Sequence, residues 1–560
     1  MPSGLYVVGL MRLALSTRRR EAIALTIVAL VFAVPLRGLL RAPGPPMEEG
    51  FMLVFPERVL RGAIPNRDFL HLYGPGSVWA LAGAFKAFGV SLLTERLFGL
   101  AQQMAIVFGI YALARRWGRT IAVSGAVTSA LIIIPFGLTA LAWIGGVGLG
   151  VLGLAAGLEA RARPTDPSGD RSGRRWALGA GLLLGVAVLF RLDLALAVTL
   201  SGIALVRGMD RPRVNRLLAG FAAGIAPYAI QVATAGVGNS VRGMVLDPVF
   251  HLRGGRSLPI PPPWSHVDGF LQRAGLLQQL SWPIPHLPAS NQLTLWFFLL
   301  LGVVMLSVAH GWRAVRADPT SLRARTILVV SLFSIGIVPQ ALQRVDSAHF
   351  AWVSCVPFGF LPVVLFDLAR RAAPRVSTRR LAPVAGAAVL ALLLFVLPAF
   401  TATRYADYAL QSFGLHRHSY KIEHDGRVFY YGKQDRAAAA NEVIAAAARI
   451  SRPGQRLFVG PGDLRKTPYS DAYLYYELGD LVPATYYIEM DPGIANTAHS
   501  GLDRQLESAD IVILSKIWDD WSEPNDSRKV GSDKSVRVLA RDFCRVGTYR
   551  GLYELYRKCR

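Results

Sequence analysis

Runs of about twenty apolar residues, separated by short clusters of arginine, constrain this 560-residue chain more than any other feature. Inside a bilayer such a run finds no water for its backbone, so it must close its own hydrogen bonds as a helix. Hydrophobic residues make up 52% of the chain and the mean hydropathy is +0.36; the excess over soluble usage lies in these runs. The arginine clusters then set the direction of each crossing, because basic loops stay in the cytoplasm. The net charge of +24 would otherwise suggest nucleic acid. Its confinement to loops between apolar runs makes it a topology signal, and no nucleic acid is expected.

Apolar runs at 21–40, 96–114, 121–137, 141–158, 176–190, 192–206, 217–234, 293–309, 327–342, 350–368 and 384–400 predict eleven crossings. With that assignment every arginine cluster, from RRR at 18–20 to RRAAPRVSTRR at 370–380, falls inside. The first run is too long for a signal peptide and lacks a small-residue cleavage site, so it reads as a span following a cytoplasmic N-terminus. Residues 1–402 therefore form a transmembrane domain with a first outer loop at 41–76 and a long outer loop at 235–291. Residues 403–560 turn polar, with strand-like runs at 456–459 and 510–514, a helix-like stretch at 435–450 and a hairpin at 545–556. The expected fold is an α-helical polytopic membrane protein of about eleven transmembrane helices with a C-terminal extracytoplasmic α/β domain. The expected location is the plasma (inner) membrane. Of three cysteines, Cys355 sits in an apolar run, while Cys544 and Cys559 flank the hairpin on the side where a disulfide persists.

This topology sends four sequence-distant polar clusters to one face. The first outer loop carries Glu48 and Glu49, then Arg67, Asp68, His71 and Tyr73. FRLD carries Arg191 and Asp193 at a tight hairpin. Asp247, His251, Arg253 and Arg256 precede LPIPPPW in the long outer loop, and QRVDSAH carries Arg344, Asp346 and His349. Residues 48–61 read as a helix kinked at Pro56 whose Met52, Phe55, Val59 and Leu60 lie in the membrane interface. The stretch 77–90 is apolar but short, and the charge pattern makes it interfacial as well.

Ionisable groups beside a span are costly unless they have a use. Guanidinium forks hold phosphate, and a carboxylate takes the proton of an attacking hydroxyl. Sugar transfer from a lipid phosphate needs both. Plainer roles exist for the same residues. Glu48 and Glu49 suit a helix start, and Arg67 with Asp68, or Arg191 with Asp193, can neutralise each other locally. The tyrosine- and acid-rich YSDAYLYYELGD and PATYYIEMDPG of the tail suit a folded core, with acceptor binding as the alternative.

Two acidic residues after the first span, a helix, and then GxxPxRDFxxxYGPG resemble the bacterial membrane glycosyltransferases of the GT-C superfamily, nearest to the dolichyl-phosphate-mannose mannosyltransferase-like group, family 39. The resemblance spans roughly 21–400 and is most specific at MEEG, PNRDFLHLYGPG, FRLD and QRVDSAH. It implies a polyprenyl-phosphate sugar as donor substrate, inversion at the anomeric carbon, and a carboxylate base from the first outer loop. In that family the acidic pair reads Asp-Glu and its first member is the usual base; Glu48 matches it and Glu49 follows, so the base lies between the two. Asp68 is the third catalytic candidate. Arg67, His71, Arg191, Asp193, Arg256, Arg344, Asp346 and His349 are candidates for holding the phosphate and the sugar. Some relatives carry an acidic metal motif in the second outer loop; residues 138–146 hold no carboxylate, so no catalytic metal and no cofactor is expected.

The partners expected are membrane lipid, the donor, and a glycan, lipid or protein acceptor outside the cytoplasm. A lipid-linked polysaccharide polymerase or ligase would use the same face. A transporter of lipid-linked glycan would place charges at mid-bilayer and show internal repeats, which these nearly uncharged runs lack.

Overall fold

Each apolar run folds as a helix, and the breaks fall where glycine, proline or charge interrupts it. The computed structural model describes residues 3–164, 171–269, 281–417 and 419–559, with backbone alone for 3–17. Parts of the basic loop (165–170) and of the long outer loop (270–280) lie outside the described residues.

Among the described residues ten helices are long and apolar enough to cross a membrane: Arg18–Leu39, Leu92–Trp117, Arg119–Phe136, Ala142–Ala162, Arg171–Phe190, Arg211–Ala235, Ala289–Ala317, Leu322–Gln343, Ser347–Ala372 and Thr378–Val396. Leu192–Val206, predicted as an eleventh crossing, is apolar but shorter. Arg191 is extended there, and a tight 3-10 turn at Leu192–Leu194 precedes the α-helix Ala195–Val206.

One end of the bundle gathers the arginines. Arg115 and Arg119 both bond to Glu21, Arg323 donates to the Arg116 carbonyl, and Arg161 donates to that of Arg207. The helices Arg171–Phe190 and Arg211–Ala235 approach through facing glycines. A Cβ on Gly181 would lie 1.9 Å from the Leu217 carbonyl oxygen, and one on Gly185 would lie 2.4 Å from that of Phe221. Small residues at such positions let backbones close on each other where no hydrophobic drive exists.

At the opposite end, the loop after the first span forms a 13-residue helix, Glu48–Leu60, with Pro56 inside it. At about 20 Å it cannot cross a hydrocarbon core of about 30 Å. Most of the face that the sequence assigns to the interface is instead buried, Leu60 alone of its four residues standing exposed, at 40%. Met52 and Phe55 are fully buried, in one cluster with Met47, Phe51 and the tail residues Phe429, Tyr473 and Ile511. Apolar periodicity marks a buried face without saying what buries it. The next helix, Pro75–Phe88, is likewise too short to span.

The tail forms a five-stranded sheet and a two-stranded hairpin. The hairpin pairs β1 (Tyr420–His424) with β2 (Arg427–Tyr431). The larger sheet contains β3 (Arg456–Pro461), β4 (Val482–Pro483), β5 (Ile511–Ser515), β6 (Phe543–Tyr549) and β7 (Tyr553–Lys558), in the order β4-β3-β5-β7-β6. β4, β3 and β5 run parallel, and β7 and β6 complete the sheet antiparallel. Helix Gln434–Ile450 packs on one face, together with the loop helix; Leu502–Glu507 and Lys534–Asp542 cover the other. A Cys544–Cys559 disulfide ties the edge hairpin.

Candidate active site

The first loop reaches its site because the tail pins it. Tyr473 N–H donates to the Pro46 carbonyl, and the Tyr469 hydroxyl accepts from Met47 N–H. With its lone pair so engaged, that hydroxyl donates its proton in a short bond to Oε2 of Glu48, at the start of the loop helix. Glu48 opens onto a cavity at the loop end of the bundle. Leu39, Ile133, Phe136, Leu141 and Ile144 form an apolar wall, and Arg256, Arg344, Arg404, Asp346 and His349 form a polar one. Burial pushes the Glu48 carboxyl above its usual range, against the pull of Arg256, the Tyr469 bond and Arg344.

Glu49 is placed differently. Its oxygens accept from Nε and Nη2 of Arg96, both at 2.8 Å, and the two side chains are 1% and 2% exposed. Arg96 Nη1 completes its set on the Leu39 carbonyl at 3.2 Å. The pair joins the loop to the start of the second span and leaves Glu49 no role at the cavity surface beyond lining it.

The arginines of the polar wall are held by carboxylates from the tail. Arg256 Nε donates to Asp491 Oδ1 at 2.6 Å, and Glu489 lies 3.7 Å from its Nη2. Burial pushes the Glu489 carboxyl well up, helped by the charge of Asp491. Arg344 donates through Nε to Asp346 at 2.8 Å, through Nη1 to Glu523 and to the Arg256 carbonyl, each at 2.8 Å, and through Nη2 to Glu523 in a short bond. Asp346 caps the helix Ser347–Ala372, accepting from His349 N–H at 2.9 Å with His349 Nδ1 at 2.8 Å. Burial alone would raise its carboxyl, but His349 and Arg344 hold it far below the usual carboxylate range. Arg404 stands 4.7 Å from the centroid of the Phe136 ring, on the cavity wall.

The remaining candidates lie elsewhere. Arg67 and Asp68 pair with each other at the surface, at 2.9 and 3.1 Å, and Asp68 Oδ2 also accepts from Ile64 N–H at 2.7 Å. They close a turn in which Asn66 takes a left-handed φ of 64° and accepts from His71 N–H. His71 is fully buried among Phe55, Phe69 and Tyr73, with Nε2 3.3 Å from the Gly74 carbonyl. Burial lowers its pKa to about 4, so the ring is neutral. Arg191 bonds to Asp193 at 2.6 and 3.0 Å and to Gln340 at 3.1 Å, stacked over Tyr73 and Trp143. This pair lines a second cavity, beside Arg253, Met244 and Pro248.

Sequence reasoning did not reach Arg96, Arg404, Tyr469, Glu489, Asp491 or Glu523. The last four come from the tail, Tyr469 and the Glu489–Asp491 pair within or beside its tyrosine- and acid-rich stretches; most of the other tyrosines there are core, as predicted. The arrangement joins a carboxylate of raised proton affinity to guanidiniums beside an apolar wall. It can accept a proton from a hydroxyl while holding an anion. Among the described residues no three His, Cys, Asp or Glu side chains group closely enough to hold a metal ion.

No protein-family model and no curated sequence matches the chain. Among solved structures, ArnT from Cupriavidus metallidurans bound to undecaprenyl phosphate is similar, with a TM-score of 0.51 at 14% identity over 96% of this chain and 98% of that one. The same protein in its apo state gives 0.46 at 15% identity over the same shares. The archaeal oligosaccharyltransferase AglB from Archaeoglobus fulgidus, in complex with an inhibitory peptide and a dolichol-phosphate, gives 0.45 at 14% over 89% of this chain and 70% of that one. These last two likenesses are too distant to argue from. By fold, then, the chain is a polytopic helical protein with a C-terminal α/β domain, similar in its overall architecture to ArnT.

Proposed function

We propose that this protein is an integral membrane glycosyltransferase that moves a single sugar from a polyprenyl phosphate to a cell-envelope acceptor outside the cytoplasm. The observation that carries the reading is one cavity in which Glu48 faces Arg256, Arg344 and Arg404 across an apolar wall, at the end of the bundle away from the arginine clusters. The wall accommodates the first isoprenoid units, and the guanidiniums take the phosphate. Glu48 accepts the proton of the acceptor hydroxyl as its oxygen attacks the anomeric carbon. The bond from that carbon to the phosphate oxygen breaks on the opposite face, inverting the centre, and polyprenyl phosphate leaves with its charge met by arginine. Asp491 and Glu523 hold Arg256 and Arg344 at the rim, and the phosphate competes with them for these donors.

The family 39-like motifs favour a hexosyl or pentosyl monophosphate donor over a diphosphate-linked glycan. The ionisable groups of the spans favour an enzyme over a transporter: Glu95 and Arg96 lie near the start of their helix, and His310 and Asp367 pair near the arginine-rich end. The disulfide fits a tail outside the cytoplasm. The test is transfer by the purified protein from a panel of radiolabelled polyprenyl-phosphate sugars to a cell-envelope extract. Label moving from one monophosphate donor is the expected result. Folded protein that transfers from none of them, while acting on a diphosphate-linked glycan, overturns the reading in favour of a polymerase or ligase.

A further inference from the structure

After the last span, the helix Ala402–Ser412 packs on the final turn of the first. Gly38 N–H donates to Ser412 Oγ at 2.8 Å, and a Cβ on Gly38 would lie 2.2 Å from the Tyr408 carbonyl oxygen. The chain then reverses at Gly414, with φ +75°. The reversal leaves Phe413 69% and Leu415 71% exposed, on a loop set at the end of a membrane span. Gly414, His416 and Arg417 line an open cavity together with Arg37, Arg41 and Lys421. This cavity is distinct from the one at Glu48; Gly38 lines it, whereas the adjacent Leu39 lines the other.

Its charges do not balance. Lys421 pairs with Glu423 at 2.5 Å, and His416 Nδ1 is 2.8 Å from Asp407. The guanidiniums of Arg37 and Arg41 have no hydrogen-bonded or ionic partner among the described residues, and Arg417 rests 5.9 Å from the Tyr420 ring. Among the described residues three guanidiniums are left over beside two large apolar side chains that stand exposed.

We propose that this cavity binds the phosphate headgroup of an anionic bilayer lipid, with Phe413 and Leu415 inserted among the acyl chains. Cations attract phosphate oxygens beside an anionic leaflet while neighbouring apolar groups enter the interface. A free anion would use the arginines and leave Phe413 and Leu415 without a partner, so the lipid is the occupant that accounts for both. The contact would moor the tail, which supplies Tyr469, Asp491 and Glu523 to the other cavity, against the membrane.

Native mass spectrometry of the full-length protein, offered equal dioleoylphosphatidylglycerol and dioleoylphosphatidylcholine, tests this. The wild type should retain phosphatidylglycerol preferentially. Arg37→Gln and Arg417→Gln should each reduce that preference about fivefold. Arg37→Lys should largely keep it, which separates charge from folding. The double variant Phe413→Ser, Leu415→Ser should retain less of the lipid at unchanged melting temperature. Equal retention of the two lipids by the wild type overturns the proposal, as does wild-type preference in Arg37→Gln combined with Arg417→Gln. Displacement by inorganic phosphate that ignores the Phe413 and Leu415 changes would make the cavity a free-anion site and would also overturn it.

Discussion

Replacing Glu48 and Glu49 one at a time by glutamine separates a reacting carboxylate from a structural one two atoms of backbone away. Glu49→Gln removes the negative half of an ion pair whose partners are 1% and 2% exposed, and it leaves Arg96 one amide oxygen where two carboxylate oxygens accepted at 2.8 Å. An unpaired charge at such a site costs about 3–5 kcal/mol. Glu95, buried beside Glu49 and bonded to Ala140 N–H, offers Arg96 partial compensation, so the lower end, about 3 kcal/mol, is expected. Glu48→Gln keeps an oxygen to accept from Tyr469 and leaves no buried cation stranded, because Arg256 and Arg344 retain Asp491, Asp346 and Glu523. Its stability should stay within about 1 kcal/mol of wild type, while transfer falls by about 10²–10⁴ at unchanged donor binding, the usual contribution of a general base. Thermal melting in detergent, donor binding and transfer from the radiolabelled donor are measured on the same preparations. Wild-type stability with lost transfer in Glu49→Gln, alongside active Glu48→Gln, would refute the assignment.

Other expectations follow from the same contacts. Tyr469→Phe removes a donor that favours the ionised Glu48, so the Glu48 pKa rises further and the acid limb of the rate profile moves to higher pH; an unmoved limb would detach Tyr469 from the base. Arg344→Lys cannot reproduce the fork on Glu523 and should weaken donor binding about tenfold, measured by donor titration. Gly185→Leu drives a side chain into the Phe221 carbonyl and should cost about 3 kcal/mol or more in melting experiments, whereas Gly202→Leu, with nothing within 4 Å, should be tolerated. Burial raises Glu477 to about 8 in the folded protein, so the protonated form is the one that folding accommodates. The stability it permits below its ordinary carboxylate pKa is lost as pH rises through about 8. Glu477→Gln should therefore melt higher than wild type at pH 9 by a margin that shrinks towards pH 5, read by scanning fluorimetry.

Chain order alone located the long apolar helices and the tail's main elements. A bilayer allows few solutions for an uncharged run, and the arginine loops mark its ends whatever the helices pack against. It also brought Glu48, Arg256 and Arg344 to one end of the bundle, since alternation is a counting argument. The exception among the spans, Leu192–Val206, arose because an apolar run does not reveal how much of it an extended residue and a 3-10 turn consume. Which of two adjacent glutamates faces the cavity was decided only by the fold. Glu48 and Glu49 are one helical step apart, and Arg96, 47 residues further along, claims the second. The same holds for Arg67 with Asp68, and for His71, where motif position says nothing about whether a side chain meets a cavity, a neighbour or a packed ring. The tail's part was least legible. Tyr469, Asp491 and Glu523 reach the site across more than 170 residues of sequence, through contacts that exist only once a soluble sheet has docked on the loop helix.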